Sequence, residues 1–122
     1  MKKKPIKNSA NDLYDIYKFP EELHLYKNSV NITLGICDLA TEEDCFWILD
    51  VIVENQSLLP NTGIQIWELA RVEGDTFDLT CSDENGANLF MIKNPKFEFY
   101  FDYLKIIKKD NLIYLPIEKN LY

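Results

Sequence analysis

Ile64-Gln65-Ile66-Trp67-Glu68-Leu69-Ala70-Arg71-Val72, Glu73-Gly74-Asp75, Thr76-Phe77-Asp78-Leu79-Thr80-Cys81 is the stretch that decides the fold. In its last part apolar and polar residues alternate. That is the period of a half-buried strand with Phe77, Leu79 and Cys81 inward. In its first part apolar residues fall on both faces, which predicts a strand at the centre of a sheet. Glu73-Gly74-Asp75 turns one strand into the other.

Downstream the same period continues. Asp83-Glu84-Asn85-Gly86 predicts a turn, and Asn-Gly favours the type I′ hairpin. Leu89 to Lys93 predicts a third strand, ended by Asn94-Pro95. Phe97, Phe99, Phe101 and Tyr103 then alternate with Lys96, Glu98, Tyr100 and Asp102. Leu104 to Lys108 and Leu112 to Leu115 pair across Lys109-Asp110-Asn111 as a last hairpin.

Upstream the period is helical. Ser9 to Lys18 predicts a short helix ended by Phe19-Pro20. Residues 21–40 fit a strand through Val30, Ile32, Leu34 and Ile36 and a helix through Ile32, Ile36, Leu39 and Ala40; a helix from about residue 31 is expected. Thr41-Glu42-Glu43-Asp44 reads as a helix start, with Thr41 as the cap. That helix is expected over residues 42–57, with Cys45, Ile48, Leu49, Ile52 and Gln56 as one stripe. The fold class is therefore α+β, with N-terminal helices packed on a C-terminal antiparallel meander of about five strands. Residues 1–8, with four Lys and one Pro, read as a basic flexible tail before a single domain over 9–122.

Composition narrows the function. The chain has 122 residues and a net charge of −7. Residues 38–84 carry twelve acids and one base, Arg71, a net −11, while the flanking segments are each +2. Such a segment repels a phosphate backbone and suits a basic partner; a solvated acidic face is the plainer reading. No apolar run reaches the ~18 residues of a membrane helix. The basic start is not followed by the apolar stretch of a secretory signal. A cytoplasmic protein with reduced Cys37, Cys45 and Cys81 is expected.

Chemistry finds little purchase. His24 is the only imidazole, and all three cysteines lie on apolar faces, where a thiol is packing. No catalytic residue, cofactor or metal is expected. Asp50 and Glu54, one helical turn apart, could hold a divalent cation with Glu43. The glycines at 35, 63, 74 and 86 are scattered, so no phosphate-cradling loop exists. Lys93, Lys96, Lys105, Lys108 and Lys109 near Phe97, Phe99, Tyr100 and Tyr103 could touch single-stranded RNA. A single Arg is poor equipment for that task, so direct nucleic-acid contact is not expected.

Protein binding remains. Glu42, Glu43, Asp44, Asp50, Glu54, Asp83 and Glu84 are the candidate partner-binding residues, with Trp47 as either an aromatic anchor or a core residue. Phe97, Phe99 and Tyr103 are a secondary candidate surface, for a partner or for a homodimer. An accessory domain binding a metal or a small molecule is the alternative.

Residues 46–56 read Phe-Trp-Ile-Leu-Asp-Val-Ile-Val-Glu-Asn-Gln and residues 64–69 read Ile-Gln-Ile-Trp-Glu-Leu. With Leu79-Thr80-Cys81 and Tyr114-Leu115-Pro116, these resemble a small family of uncharacterised proteins of Bacteroidetes, their plasmids and their phages, over roughly residues 11–118. The resemblance implies no activity. Family members carry a polar loop where this chain has the aromatics of residues 96–102. By size, acidity and mobile-element setting the chain also resembles phage inhibitors of bacterial defence, including anti-CRISPR proteins. That implies an inhibitor whose acidic surface engages a basic CRISPR effector nuclease or its ribonucleoprotein, as a monomer or homodimer.

Overall fold

The computed structural model describes residues 9–10, 23–27, 29–59 and 63–118. The tail 1–8, and the first expected helix beyond Ala10, lie outside the described residues. Element order is β1 (His24–Tyr26), β2 (Val30–Ile32), α1 (Leu34–Glu42), α2 (Phe46–Glu54), β3 (Ile64–Glu73), β4 (Thr76–Ser82), β5 (Asn88–Lys96), β6 (Tyr103–Lys109) and β7 (Leu112–Tyr114). Short 3-10 turns follow α2 at Gln56–Leu58 and β7 at Pro116–Glu118.

The content is mixed α and β, with the helices ahead of the main strands, as expected. The sheet is larger than expected, with seven strands among the described residues in the order β1-β2-β7-β6-β3-β4-β5. Nor is it a simple meander. β3, β4 and β5 are joined by hairpins, and β6 returns to lie beside β3, which is a Greek key. β7 extends it as a hairpin partner of β6, and β2 joins β7 in parallel.

β3 lies between β4 and β6, the central place its two apolar faces predicted. Gln65, Trp67 and Leu69 are its buried positions, and on β4 these are Phe77, Leu79 and Cys81. All of these but Gln65 form one apolar core cluster with Ile36, Leu39 and Ala40 of α1 and Ile48, Leu49 and Ile52 of α2. Burying one such aliphatic side chain stabilises the fold by about 1.5–3 kcal/mol.

Several local expectations are corrected. Residues 30–32 are strand, and the helix begins at Leu34, because Thr33 is its N-cap and its hydroxyl accepts the Ile36 N–H at 3.3 Å. Thr41 caps nothing: it sits in the last turn of α1, where its hydroxyl donates to the Cys37 carbonyl at 2.8 Å. The expected single helix over 42–57 is broken at residues 43–45. There Asp44 takes a left-handed φ of 52°, and α2 starts only at Phe46. Its predicted stripe is nonetheless the buried one, while Gln56 ends up in the 3-10 turn.

The Asn85-Gly86 turn is not type I′, since of that pair only Gly86 has positive φ, 88°. The Asp83 carboxylate accepts the Asn85 and Ala87 amides, both at 2.9 Å, and holds a longer loop. β5 runs on through Pro95 to Lys96, which an outer strand permits because a missing N–H there removes no ladder bond.

Residues 97–102 are not a strand. They cross from β5 at one margin of the sheet to β6 on the far side of β3. Phe99 and Phe101 are buried, as alternation predicts, but burial resumes at Leu104 and Ile106, so the phase slips at Asp102. Tyr103 therefore sits opposite Ala70, on the sheet face away from Trp67 and Leu69.

At the other end of the core, Gly35 is required by close approach. A Cβ there would stand 2.9 Å from Leu115 Cδ1 and 3.1 Å from both Glu118 carboxylate oxygens.

Candidate functional site

The candidate partner-binding residues do not all come together. Glu42 ends α1, Glu43 is its C-cap, and Asp44 lies exposed in the link. Glu43 is half-buried, and burial first, then the neighbouring Glu42, raises its carboxyl above the usual range. Trp47, in the first turn of α2, packs edge-on against Phe97 with centroids 4.8 Å apart, and its indole N–H is buried without a partner. It serves the core rather than an exposed anchor. Phe97 also lies 4.9 Å from Phe77 and 5.4 Å from Phe99. These rings fill the interior, so Phe97 and Phe99 supply no exposed secondary surface. Tyr103 donates its hydroxyl to Glu68, and burial first, then that bond, raises its pKa.

Asp50 is already engaged. It accepts the Tyr26 hydroxyl at 2.5 Å and lies 2.8 Å from Lys27 Nζ. The bond from Lys27, then that from Tyr26, holds its carboxyl below the usual range. Glu54, one turn on, is exposed. Among the described residues no group of three or more His, Cys, Asp and Glu is placed to hold a metal ion.

Asp83 and Glu84 lie at the opposite end of the sheet from Glu42–Asp44. β4 ends at Ser82, beside Ile66, whereas Trp47 touches Phe97, whose amide bonds the Asp75 carbonyl before β4 begins. The seven residues of β4 put Asp83 and Glu84 roughly 20 Å from Asp75 at about 3.3 Å per residue.

What the structure gathers instead is a set that periodicity does not reveal. Arg71, the single Arg of the chain, bridges the β3–β4 turn and the crossing segment. Its Nε donates to Asp102 Oδ1 at 2.8 Å and its Nη2 to the Phe99 and Phe101 carbonyls at 2.5 and 2.9 Å. Its Nη1 donates to the Gly74 carbonyl and lies 3.7 Å from Asp75 Oδ1. Its guanidinium also covers the Phe77 ring at 4.6 Å. Glu73, Asp75 and Glu98 stay exposed around this clamp. Lys96 is an exposed cation there. A sequence signal for Arg71 did exist: one base among twelve acids is well placed to be an internal counter-charge.

The thiols are packing. Burial raises the pKa of Cys81 to about 12, and burial with the nearby Glu43 and Asp44 does the same for Cys45. Alkylation of the folded protein at pH 8 is therefore expected to label Cys37, which is half-buried, far ahead of Cys45 and Cys81. Mass spectrometry of the labelled peptides checks this, and equal labelling of all three would contradict it.

The basic and aromatic groups of the C-terminal part do not interleave. Lys93 is on β5 and Lys105 and Lys108 are on β6, with β4 and β3 between them. Phe99, which would have to stack on a base, is buried. No described helix is long and apolar enough to cross a membrane.

Comparison with known proteins gives one match. The model of a family of unknown function, DUF6876, covers residues 11–119. No curated protein and no solved structure matches the chain.

Proposed function

We propose, for a chain that belongs to DUF6876, a family of unknown function, a non-enzymatic role: it binds a protein that presents a basic surface. The observation that carries the reading is the acidic end of the sheet. Glu73, Asp75 and Glu98 are exposed there with one exposed cation, Lys96, beside them, and Arg71 is engaged internally by backbone carbonyls and Asp102. Carboxylates so placed steer encounter with a cationic partner. The two buried high-pKa thiols and the engaged Asp50 speak for binding over catalysis.

The target class we infer is a nucleic-acid-guided defence nuclease, whose guide and target channel is lined with positive charge. The size and the net charge of −7 support this reading. The protein would occupy that channel or a basic surface beside it, acting from a phage or mobile element inside a bacterial host cell.

The test is capture of the tagged protein from lysates of bacteria carrying such nucleases, with cleavage assayed in its presence. Binding to the nuclease is expected to weaken about tenfold or more as salt rises from tens of millimolar to above physiological strength. Glu73→Lys with Asp75→Lys is expected to weaken it further at low salt. Salt-insensitive binding would remove the electrostatic reading. A nuclease neither bound nor inhibited would remove the target class.

A further inference from the structure

Between the buried Phe99 and Phe101 lies Tyr100, which is 73% exposed. The carbonyls on both sides of it, those of Phe99 and Phe101, accept from the same Arg71 nitrogen at 2.5 and 2.9 Å. The Arg71 amide also donates to the Asp102 carbonyl at 2.9 Å, and the Arg71 Nε to the Asp102 side chain at 2.8 Å. Four contacts from one residue thus hold residues 99–102 in place. With Phe99 and Phe101 committed to the core, the Tyr100 ring is directed outward, edge-on to Phe101 at 5.0 Å.

The geometry points to Tyr100 as the anchor of the partner-binding surface, with Arg71 as its positioning residue and an arginine or lysine side chain of a basic protein as the group it receives. This inference rests on the acidic-end reading above and adds the contact that gives it specificity. Two observations choose the occupant. The exposed charges flanking the ring are mostly carboxylates, Glu98 two residues before it in the chain and Glu73 and Asp75 across the clamp. A phenol face attracts a cation, and a guanidinium can stack on it while the carboxylates take its N–H groups. An exposed aromatic is ordinarily costly to order on binding. A ring whose backbone is already fixed loses less freedom, which favours its use as an anchor.

The probe is a fluorescein-labelled nona-arginine peptide, titrated against the full chain at low salt, with nona-lysine for comparison. Wild type is expected to bind, and to bind nona-arginine the more tightly. Tyr100→Ala should weaken binding about threefold to fivefold, in keeping with an exposed cation–π contact, and leave the melting temperature unchanged. Tyr100→Phe should bind as wild type does. Arg71→Lys, measured at a temperature where it is folded, should fall to the Tyr100→Ala level. Combining the two substitutions should lose no more, which a purely structural role for Arg71 would not produce. Glu73→Lys with Glu98→Lys reports on the acidic end by itself, because neither side chain bonds Arg71. If that pair abolishes binding while Tyr100→Ala leaves it intact, the anchor is overturned and the acidic end stands. If wild type does not bind the cationic peptides, both are overturned.

Discussion

Replacing Arg71 with Met is expected to lower stability by about 3–4 kcal/mol, the largest loss for a single substitution outside the apolar core. The change keeps an unbranched apolar stem and removes every donor. The Phe99 and Phe101 carbonyls would lose the guanidinium that satisfies them. Leaving a buried acceptor unpaired costs about 1–3 kcal/mol each. Asp102 would lose its partner at 2.8 Å, and Phe77 the cation above its ring. For a chain of this size that is a fall in melting temperature of roughly 10–15 °C. Arg71→Lys should recover only part of it, because an ammonium is a point donor and cannot span acceptors on both sides of Tyr100. Amide exchange over residues 97–102 should quicken in both variants before global unfolding. A melting temperature within about 2 °C of wild type would show that the clamp carries little of the fold's stability.

The second large effect is expected at Glu118, which is 1% exposed. Its Oε1 accepts the Thr33 hydroxyl at 2.6 Å and the Leu115 amide at 2.9 Å. The Gly35 amide, in the first turn of α1, bonds the same carboxylate. Thr33 in turn caps α1. The start of this helix is thus satisfied by a residue 85 positions away in the chain. Glu118→Ala leaves these donors buried and unpaired, and a loss of about 3 kcal/mol is expected. Glu118→Gln keeps one acceptor oxygen for Thr33 and Leu115, and should cost about 1 kcal/mol.

Wild type and Glu118→Gln also separate by pH. Burial raises the Glu118 carboxyl above the ordinary glutamate range, against the opposing bonds from Thr33, Leu115 and Gly35. A group whose folded pKa is raised contributes stability that is complete below its unfolded pKa, about 4.3. That contribution is lost as pH rises through the folded value. The stability advantage of wild type over Glu118→Gln should therefore be greatest near pH 4 and shrink toward neutrality. Chemical denaturation of both proteins across that range checks the sign. A difference that grows with pH would show that the three donors outweigh burial.

The sequence by itself determined which residues go inside. Alternation over 76–81 selected Phe77, Leu79 and Cys81, and the helical stripe selected Cys45, Ile48, Leu49, Ile52 and Gln56. All of these but the half-buried Gln56 are buried. These are local matters, because a period along the chain records which side of an element loses its water.

Only the tertiary structure decided what the backbone does with that burial. Residues 97–102 alternate as a strand does, yet the Phe99 and Phe101 carbonyls are satisfied by a guanidinium from β3 rather than by a strand ladder, so the segment crosses the sheet instead of joining it. The helix expected from residue 42 is cut at Asp44, and Thr41 belongs to the helix before it. Glu42–Asp44 and Asp83–Glu84, drawn together by charge counting, are set at opposite ends of β4. Glu118 reads in the chain as an ordinary charge, and Arg71 as a lone base among acids with no partner named, because their partners lie as far as 85 and 31 residues away. A hydrogen bond or an ion pair between distant residues leaves no period behind, so its geometry is settled only when the chain has folded.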